Sequence, residues 1–439
     1  MIAEQTVSHQ TSTSSVKEKQ EKYIFPCVRT LYSEPLVLTE ARGSRVVDKE
    51  GKTYLDMFAG ILSTSLGHCH PSVNEAVHKQ IDTLGHTSSL YITENQIEAA
   101  EKLARIAPGA LSSSMFLNSG SEAIDAAIRL AKLYTGRDEV IALRHGYSGN
   151  STLATHLTGH SAWRTGHTSL AGITHALAPY PYRSPFGDDP EVNADKFAQD
   201  LEDVILTTTS GRPAAFLAET IQGVGGFIVP PPGYFQKAAA IIRKYGGIFI
   251  CDEVQAGFGR TGTHWFGIEH WDVEPDIMVM AKGIANGYPV GALISRPEIS
   301  AAWERKTIST FGGNPICMAA TSATLDIMVQ EAVPDRAEAR GQQLRTGLDA
   351  LANQFDWIGE IRGMGLMQAI EIVKDRSTKE PDPQTTKMFL EAARKEGVLI
   401  GVGGLYGQVI RIGPSLLISE QELDEALLGL KKAASSIKK

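Results

Sequence analysis

The chain has 439 residues, too many for one small core and enough for a large domain with a smaller one beside it. Its 42 Lys+Arg against 50 Asp+Glu leave a formal charge of −8, a balance that argues against a nucleic-acid backbone or an anionic membrane as main partner. Glycine stands out at 42 residues, above the roughly 7% average; with no collagen period, it points to turns and close backbone approaches around a cofactor.

Residues 1–22 are polar, lack the apolar stretch of a secretory signal, and read as a disordered tail. No apolar run approaches the roughly 18 residues of a membrane helix, and the expected location is the cytoplasm. The cysteines (Cys27, Cys69, Cys251, Cys317) are too scattered for a disulfide framework. Cys251, inside an apolar run, reads as a small buried hydrophobe. Residues 23–70 read as short strands and turns packing with the small domain, with a hairpin near 48–51.

From 71 to 322 helix and strand alternate. Helices are expected at 71–84, 94–106, 121–134 and 233–245, and short apolar strands at 139–143, 214–218, 247–251 and 276–280. Strands apolar on both faces, alternating with helices, predict a mainly parallel sheet covered on both sides. The stretch 179–190 reads as a long surface loop. Residues 323–439 predict a smaller α+β domain: a long helix to about 354, a strand at 365–373, a helix at 382–396, a strand pair within 398–412 and a last helix from Ser419.

Ligands of open α/β sheets sit at the carboxyl ends of the strands. Three predicted strands run there into polar residues: Glu219, the pair Asp252 and Glu253, and Lys282. Asp252 and Lys282 can face each other across one crevice; the same spacing also suits a structural ion pair at the sheet edge. Asn118-Ser119-Gly120-Ser121-Glu122 opens a helix whose Ile124, Ala127, Ile128 and Ala131 share one face. Ser119 and Glu122 fit a capping box. The N–H groups and hydroxyls of Ser119, Gly120 and Ser121 suit a phosphate there, or a plain cap. A phosphate site, a carboxylate and a lysine in one crevice are what pyridoxal 5′-phosphate requires.

Three other patterns read otherwise. Gly257–Gly262 spells GxGxxG, but it neither turns directly out of a strand nor opens a helix, against a dinucleotide site. His68-Cys69-His70 precedes a proline and reads as a turn, so no metal is expected. Pro230-Pro231-Pro232 reads as a loop before a helix.

The segments LDMFAGILSTSLGHCHP, NSGSEAIDAAIRLAKLYTGR, AETIQGVGGF, IFICDEVQAGFGRTG, PDIMVMAKGIANGYP, STFGGNP, IRGMGLMQAIEIVKDRSTKEP and VIRIGPSLLIS together resemble the class III (subgroup II) aminotransferases, pyridoxal-phosphate enzymes of fold-type I. GGLYGQVIRIGP and STFGGNP are most similar to alanine–glyoxylate aminotransferases of the mitochondrial/plant type, and VKDRSTKEP also resembles dialkylglycine decarboxylase.

The resemblance implies a large domain with a mainly parallel seven-stranded sheet between helices, plus a smaller α+β domain. It implies that Lys282 binds the cofactor covalently and then shuttles the substrate's proton. Asp252 would pair with the ring nitrogen, and Gln255 would bond the phenolic oxygen. Val254 and Tyr147 would cover the two ring faces, and Ser119, Gly120 and Ser121 would hold the phosphate. Thr310 of the partner subunit would complete that site, implying a homodimer with shared active sites, alone or paired into tetramers. Arg411 would bind the substrate α-carboxylate, Glu219 would lie near Arg411 and could mask it, and Ile61 and Tyr91 would be pocket walls. Two positions depart from the family pattern: Ser148 stands where histidine is common, and Glu219-Thr220 where an acid-Pro pair is usual.

The implied reaction is ping-pong transfer of an amino group from an amino acid or amine, alanine-like, to a 2-oxo acid such as glyoxylate or pyruvate. The alternatives are decarboxylating transamination, racemisation, phospho-lyase elimination, ω-amino transfer to 2-oxoglutarate, or a non-enzymatic binding protein.

Overall fold

The computed structural model describes residues 12–165 and 170–438. The expected disordered tail is corrected over part of its length, while residues 1–11 lie outside the described residues. Thr13–Tyr23 form a helix that buries no side chain and is capped by Ser12, whose Oγ accepts from Ser15 N at 3.3 Å. Its Lys, Glu and Gln residues are strong helix formers, and Lys17 pairs with Glu34; the low apolar content that suggested disorder does not forbid such a surface helix.

Strands β1 (Leu38–Arg42), β2 (Arg45–Asp48) and β3 (Thr53–Asp56) form an antiparallel N-terminal ribbon. The next seven make the central sheet: β4 (Ser113–Leu117), β5 (Val140–Leu143), β6 (Ile173–Ala176), β7 (Ala215–Glu219), β8 (Ile248–Asp252), β9 (Ile277–Met280) and β10 (Gly291–Ser295). Their order is β4-β10-β9-β8-β7-β5-β6. Strands β5 to β9 pair in parallel, and β10 runs antiparallel to both β4 and β9. This is the expected mainly parallel seven-stranded fold-type I sheet.

Both faces are covered, and alternation along β8 shows how. Ile248 and Ile250 pack with Ile124, Ala127, Ile128 and Ala131 of the Gly120–Thr135 helix. Phe249 and Cys251 point to the other face, where Phe249 stacks on Phe235 of the Tyr234–Lys244 helix at 5.7 Å between ring centroids. Each such fully buried apolar side chain contributes about 1.5–3 kcal/mol.

The predicted loop at 179–190 is present up to Asp189, with one 3-10 turn at Pro181–Arg183, and its side chains pin it down. Tyr180 Oη and Arg183 Nη2 both donate to the buried Glu371, at 2.7 and 2.6 Å. The loop ends at Pro190, the first residue of the unforeseen helix Pro190–Thr208, whose N-cap Asp189 accepts from Glu191 N and Val192 N. The Asp-Pro start that looked like loop chemistry is a helix N-terminus.

Towards the C-terminus the single long helix divides into Pro315–Gln330 and Val333–Ala352, broken at Ala332, which is left-handed with φ +45°. Among the described residues no single helix is long and apolar enough to cross a membrane, and these two together pass only as a pair bent by 67°. The strand expected at 365–373 is one arm of a hairpin, β11 (Ile358–Met364) with β12 (Met367–Ile372). The strands that follow are β13 (Val398–Leu399), β14 (Gly401–Gly403) and β15 (Val409–Ile412). β15 lies between β12 and β14, while β13 joins β3 in parallel, so N-terminal and C-terminal segments share a sheet. Helices Pro383–Lys395 and Glu420–Ser435 close this part, the second with the Ser419–Glu422 capping box.

Candidate active site

Strands β7 and β8 are in register at their ends, with Glu219 opposite Asp252. Counting back by twos, both side chains point to the face covered by the Gly120–Thr135 helix. Lys282 opens the short turn after β9 with φ +45°, a left-handed backbone that costs about 1–2 kcal/mol outside glycine. These residues meet in a cavity of about 140 Å³, lined also by Gly120, Ser121 and Tyr147, with Val254 and Gln255 on its wall. A larger hollow of about 510 Å³ opens beside Arg129 and Trp303, and its walls hold neither a lysine nor a strand-end acid. The chemistry therefore belongs to the smaller space.

The charges in the cavity are poorly compensated by the protein itself. Asp252 Oδ1 accepts from Val254 N at 3.0 Å, and its Oδ2 has no hydrogen-bond partner among the described residues. Burial pushes its carboxyl up to about 6. Burial, then the nearby Asp252, pushes Glu219 up to about 8. Burial lowers the Lys282 amine against the opposing pull of both acids.

Glu219 is firmly held: Oε1 accepts from Tyr147 N at 2.9 Å and Oε2 from Gly223 N at 2.7 Å. The Tyr147 ring stands edge-on to Trp163 at 5.5 Å. The two positions that depart from the family pattern find local partners. Ser148 N donates to Thr158 Oγ1 at 3.0 Å, and Thr220 Oγ1 donates to Glu253 Oε1 at 2.5 Å.

Arg411, on β15, does not line the cavity but lies near enough to Glu219 and Lys282 to act on both electrostatically. It is 6% exposed, donates from Nε to Val402 O at 3.1 Å and from Nη1 to Gly223 O at 3.3 Å, and lies over the Phe58 and Phe227 rings at 4.9 and 5.7 Å. No carboxylate pairs with it among the described residues, and burial lowers it to about 10, so it stays cationic at neutral pH. Glu219, expected near Arg411, lies close enough to oppose the effect of burial on it; both of its carboxylate oxygens here accept from backbone N–H groups.

Other expected residues lie apart from the cavity. Ser119 caps the helix by accepting from Glu122 N at 3.2 Å. Ile61 and Tyr91, expected as pocket walls, are 47% and 68% exposed and do not line it. Ile61 sits in a left-handed turn, with Ala59, Gly60 and Leu62 also at positive φ, and this turn carries its side chain outward. Thr310 is exposed and lines no part of the same chain's cavity. Phe58, Phe227 and Trp163 were not singled out from the sequence. The first two stand inside segments quoted above (LDMFAG and GVGGF), but nothing local marks them as neighbours of an arginine.

The cavity fits pyridoxal 5′-phosphate. Gln255 Oε1 is buried without a partner among the described residues, and Asp252 Oδ2 is open to a cationic N–H. A Cβ on Gly120 would enter the gap between Ala281 and Val254, at 3.5 and 3.7 Å from them. Lys282 supplies the amine.

The profile of the family Aminotransferase class-III matches residues 29–434. The chain belongs to the class-III aminotransferases. It is a pyridoxal-phosphate-dependent enzyme acting on amino and 2-oxo substrates. This aminotransferase is 41% identical to the mitochondrial alanine–glyoxylate aminotransferase 2 homolog 2 of Arabidopsis thaliana, over 94% of this chain and 86% of the relative. Among solved structures it is similar to a thermostable (S)-enantioselective omega-transaminase from Thermomicrobium roseum, with TM-score 0.89 and 33% identity over 97% of this chain and 98% of that one. It is also similar to an amine transaminase from an uncultivated Pseudomonas species in its PLP-bound form, with TM-score 0.88 and 30% identity over 94% and 98%.

One prediction concerns the cofactor-free aminotransferase. A carboxyl whose folded pKa is raised holds its proton longer in the native state than in the unfolded chain. The contribution of Glu219 to stability is therefore complete below its unfolded value near 4.5 and is lost as pH rises towards about 8. Glu219→Gln removes this term. The Tm of the variant minus that of the natural protein should rise between pH 5 and pH 8.5 in thermal scans without cofactor, and a difference independent of pH would refute the assignment.

Proposed function

We propose that the enzyme transfers the amino group of an α-amino acid, alanine or a close relative, to glyoxylate or pyruvate by a ping-pong mechanism. The observation that carries this reading is the buried Arg411 guanidinium, which makes no ion pair with a carboxylate among the described residues, near a Glu219 whose oxygens are held by backbone N–H groups. A guanidinium fork prepared in this way selects a planar carboxylate and orients it. Transfer from ω-amino donors, whose reacting carbon bears no carboxylate, would leave that charge unpaired; the two backbone bonds on Glu219 oppose its swinging across to mask it.

In this reading Lys282 holds the cofactor. When bound, the cofactor supplies an electron sink for the carbanion formed at the substrate Cα. Lys282 Nζ, whose ammonium form is disfavoured by burial, takes the Cα proton and returns it. Asp252 keeps the ring nitrogen protonated through its free Oδ2. Gln255 bonds the phenolic oxygen, Val254 and Tyr147 cover the ring, and Gly120 and Ser121 at the helix start receive the phosphate. Arg411 fixes which bond at Cα lies perpendicular to the ring, which for amino transfer is the C–H bond.

The exposed Thr310 is read as the phosphate ligand of a neighbouring subunit in a homodimer. Support comes from the apolar residues around it: Ile308 and Phe311 are exposed, as are Leu90 and Ile92, and Ser309 N donates to Ser89 Oγ at 3.4 Å, holding the two segments together. An apolar surface of this kind calls for a partner.

The test is a donor panel, with alanine, 4-aminobutyrate and an aryl-alkyl amine each offered against glyoxylate, pyruvate and 2-oxoglutarate, while CO2 is monitored. Turnover is expected for alanine with glyoxylate or pyruvate, without CO2. Preference for 4-aminobutyrate with 2-oxoglutarate would overturn the substrate reading, and stoichiometric CO2 would favour decarboxylating transamination.

A further inference from the structure

We propose that Thr220 and Glu253 form a positioning clamp behind the cavity, one that fixes the ends of β7 and β8 and thereby sets the place of Asp252. Neither side chain touches the cavity. Residues 219 and 252 point to the cofactor side, so residues 220 and 253, one position on, point to the opposite side together with Cys251.

Both Thr220 and Glu253 are 0% exposed. Thr220 Oγ1 donates to Glu253 Oε1 at 2.5 Å and stands 3.1 Å from Cys251 Sγ. Glu253 also accepts from Ile268 N at 2.8 Å on Oε1 and from Gly267 N at 3.0 Å on Oε2. One carboxyl group thus ties the residue after β7, the residue after β8 and the turn Gly267–Trp271 into one unit. Glu253 N donates to Val279 O at 2.9 Å, which adds β9 to the same knot.

No cation pairs with Glu253 among the described residues, and burial pushes its carboxyl up to about 7. For stability alone this is a poor choice, since a well-packed apolar residue avoids the desolvation cost of a buried acid. A group that costs stability and touches no substrate suggests a role in geometry. Asp252 shows what that geometry is for. Its only side-chain hydrogen bond among the described residues comes from Val254 N, so the three-residue stretch 252–254 places its carboxylate, and Glu253 anchors the middle of that stretch. Glu219, the residue before Thr220, is placed from the other side.

The clamp rests on the reading that Asp252 meets the cofactor's ring nitrogen, and the experiment separates the two. Three variants are compared with the full-length natural protein: Thr220→Val, which keeps the shape and loses the hydroxyl; Thr220→Ser, which restores it; and Asp252→Asn. The readouts are the Kd for pyridoxal 5′-phosphate added to cofactor-free protein, the pH midpoint of the bound cofactor's absorbance, and Tm.

Loss of one buried hydrogen bond to a carboxyl group should weaken cofactor binding in Thr220→Val by roughly 10-fold and displace the absorbance midpoint. Thr220→Ser should stay within about 2-fold of the natural protein. Asp252→Asn should exceed both. A purely structural role would lower Tm in Thr220→Val and leave Kd and midpoint in place, and that result overturns the clamp. If Asp252→Asn itself leaves both unchanged, the role assigned to Asp252 fails first. Should Thr220→Val not fold, Glu253→Gln is read instead: its amide presents an N–H donor to one of the backbone N–H groups, and the same two shifts are required of it.

Discussion

Lys282→Ala is expected to lower kcat/KM by about 10³-fold or more, because proton transfer by a positioned base alone contributes about 10²–10⁴-fold and the covalent anchor is lost with it. The amine is one of three ionisable side chains at the strand ends around the cavity. The other two are carboxyl groups, each with at least one oxygen held by a backbone N–H. Its buried position costs stability in the cofactor-free protein, since burial works against the ammonium form. The variant should therefore fold at least as well as the natural chain, which separates loss of chemistry from loss of structure. Borohydride reduction of the loaded natural enzyme followed by peptide mass spectrometry should find the cofactor on Lys282. An adduct on another residue would show that the anchor has been misassigned.

Arg411→Leu should lower kcat/KM for alanine by about 10²–10⁴-fold, the effect of removing one member of a buried charge pair at about 3–5 kcal/mol. Leucine suits the space, because Phe58 and Phe227 already form an apolar wall around the guanidinium. The loss should fall on substrates with an α-carboxylate. An aryl-alkyl amine makes no use of the fork and should react as before or faster. Arg411→Lys should recover only part of the alanine activity, since a point charge cannot reproduce the fork. Unchanged alanine kinetics in Arg411→Leu would mean that the carboxylate is bound elsewhere, and the substrate reading would fall.

The elements legible in the chain were those whose burial pattern is local. Strands β5, β7, β8 and β9 are apolar at nearly every position because helices cover both of their faces. The Gly120–Thr135 helix carries its apolar face and its Ser119 cap within one short segment. Strands β6 and β10 were harder to see, the first because Thr174 and His175 dilute it, the second because it opens on Gly291 and ends on Ser295. The break at Ala332 has no glycine to announce it; the local signal is Pro334, which sits at the start of the second helix and cannot continue the first. Among the site residues, Gly120, Ser121, Tyr147, Glu219, Asp252, Val254, Gln255 and Lys282 came together as expected.

By itself the sequence determined the acids and the lysine at the strand ends, the serine and glycine at the helix start, and the family, because each of these is written in neighbouring residues. Only the tertiary structure decided how those groups are held. It set Arg411 between two aromatic rings and two carbonyls, committed Glu219 to Tyr147 N and Gly223 N, and joined Thr220 to Glu253 behind Asp252. Hydrogen bonds and ring contacts between strands distant in sequence depend on sheet order and register, and no local periodicity encodes these.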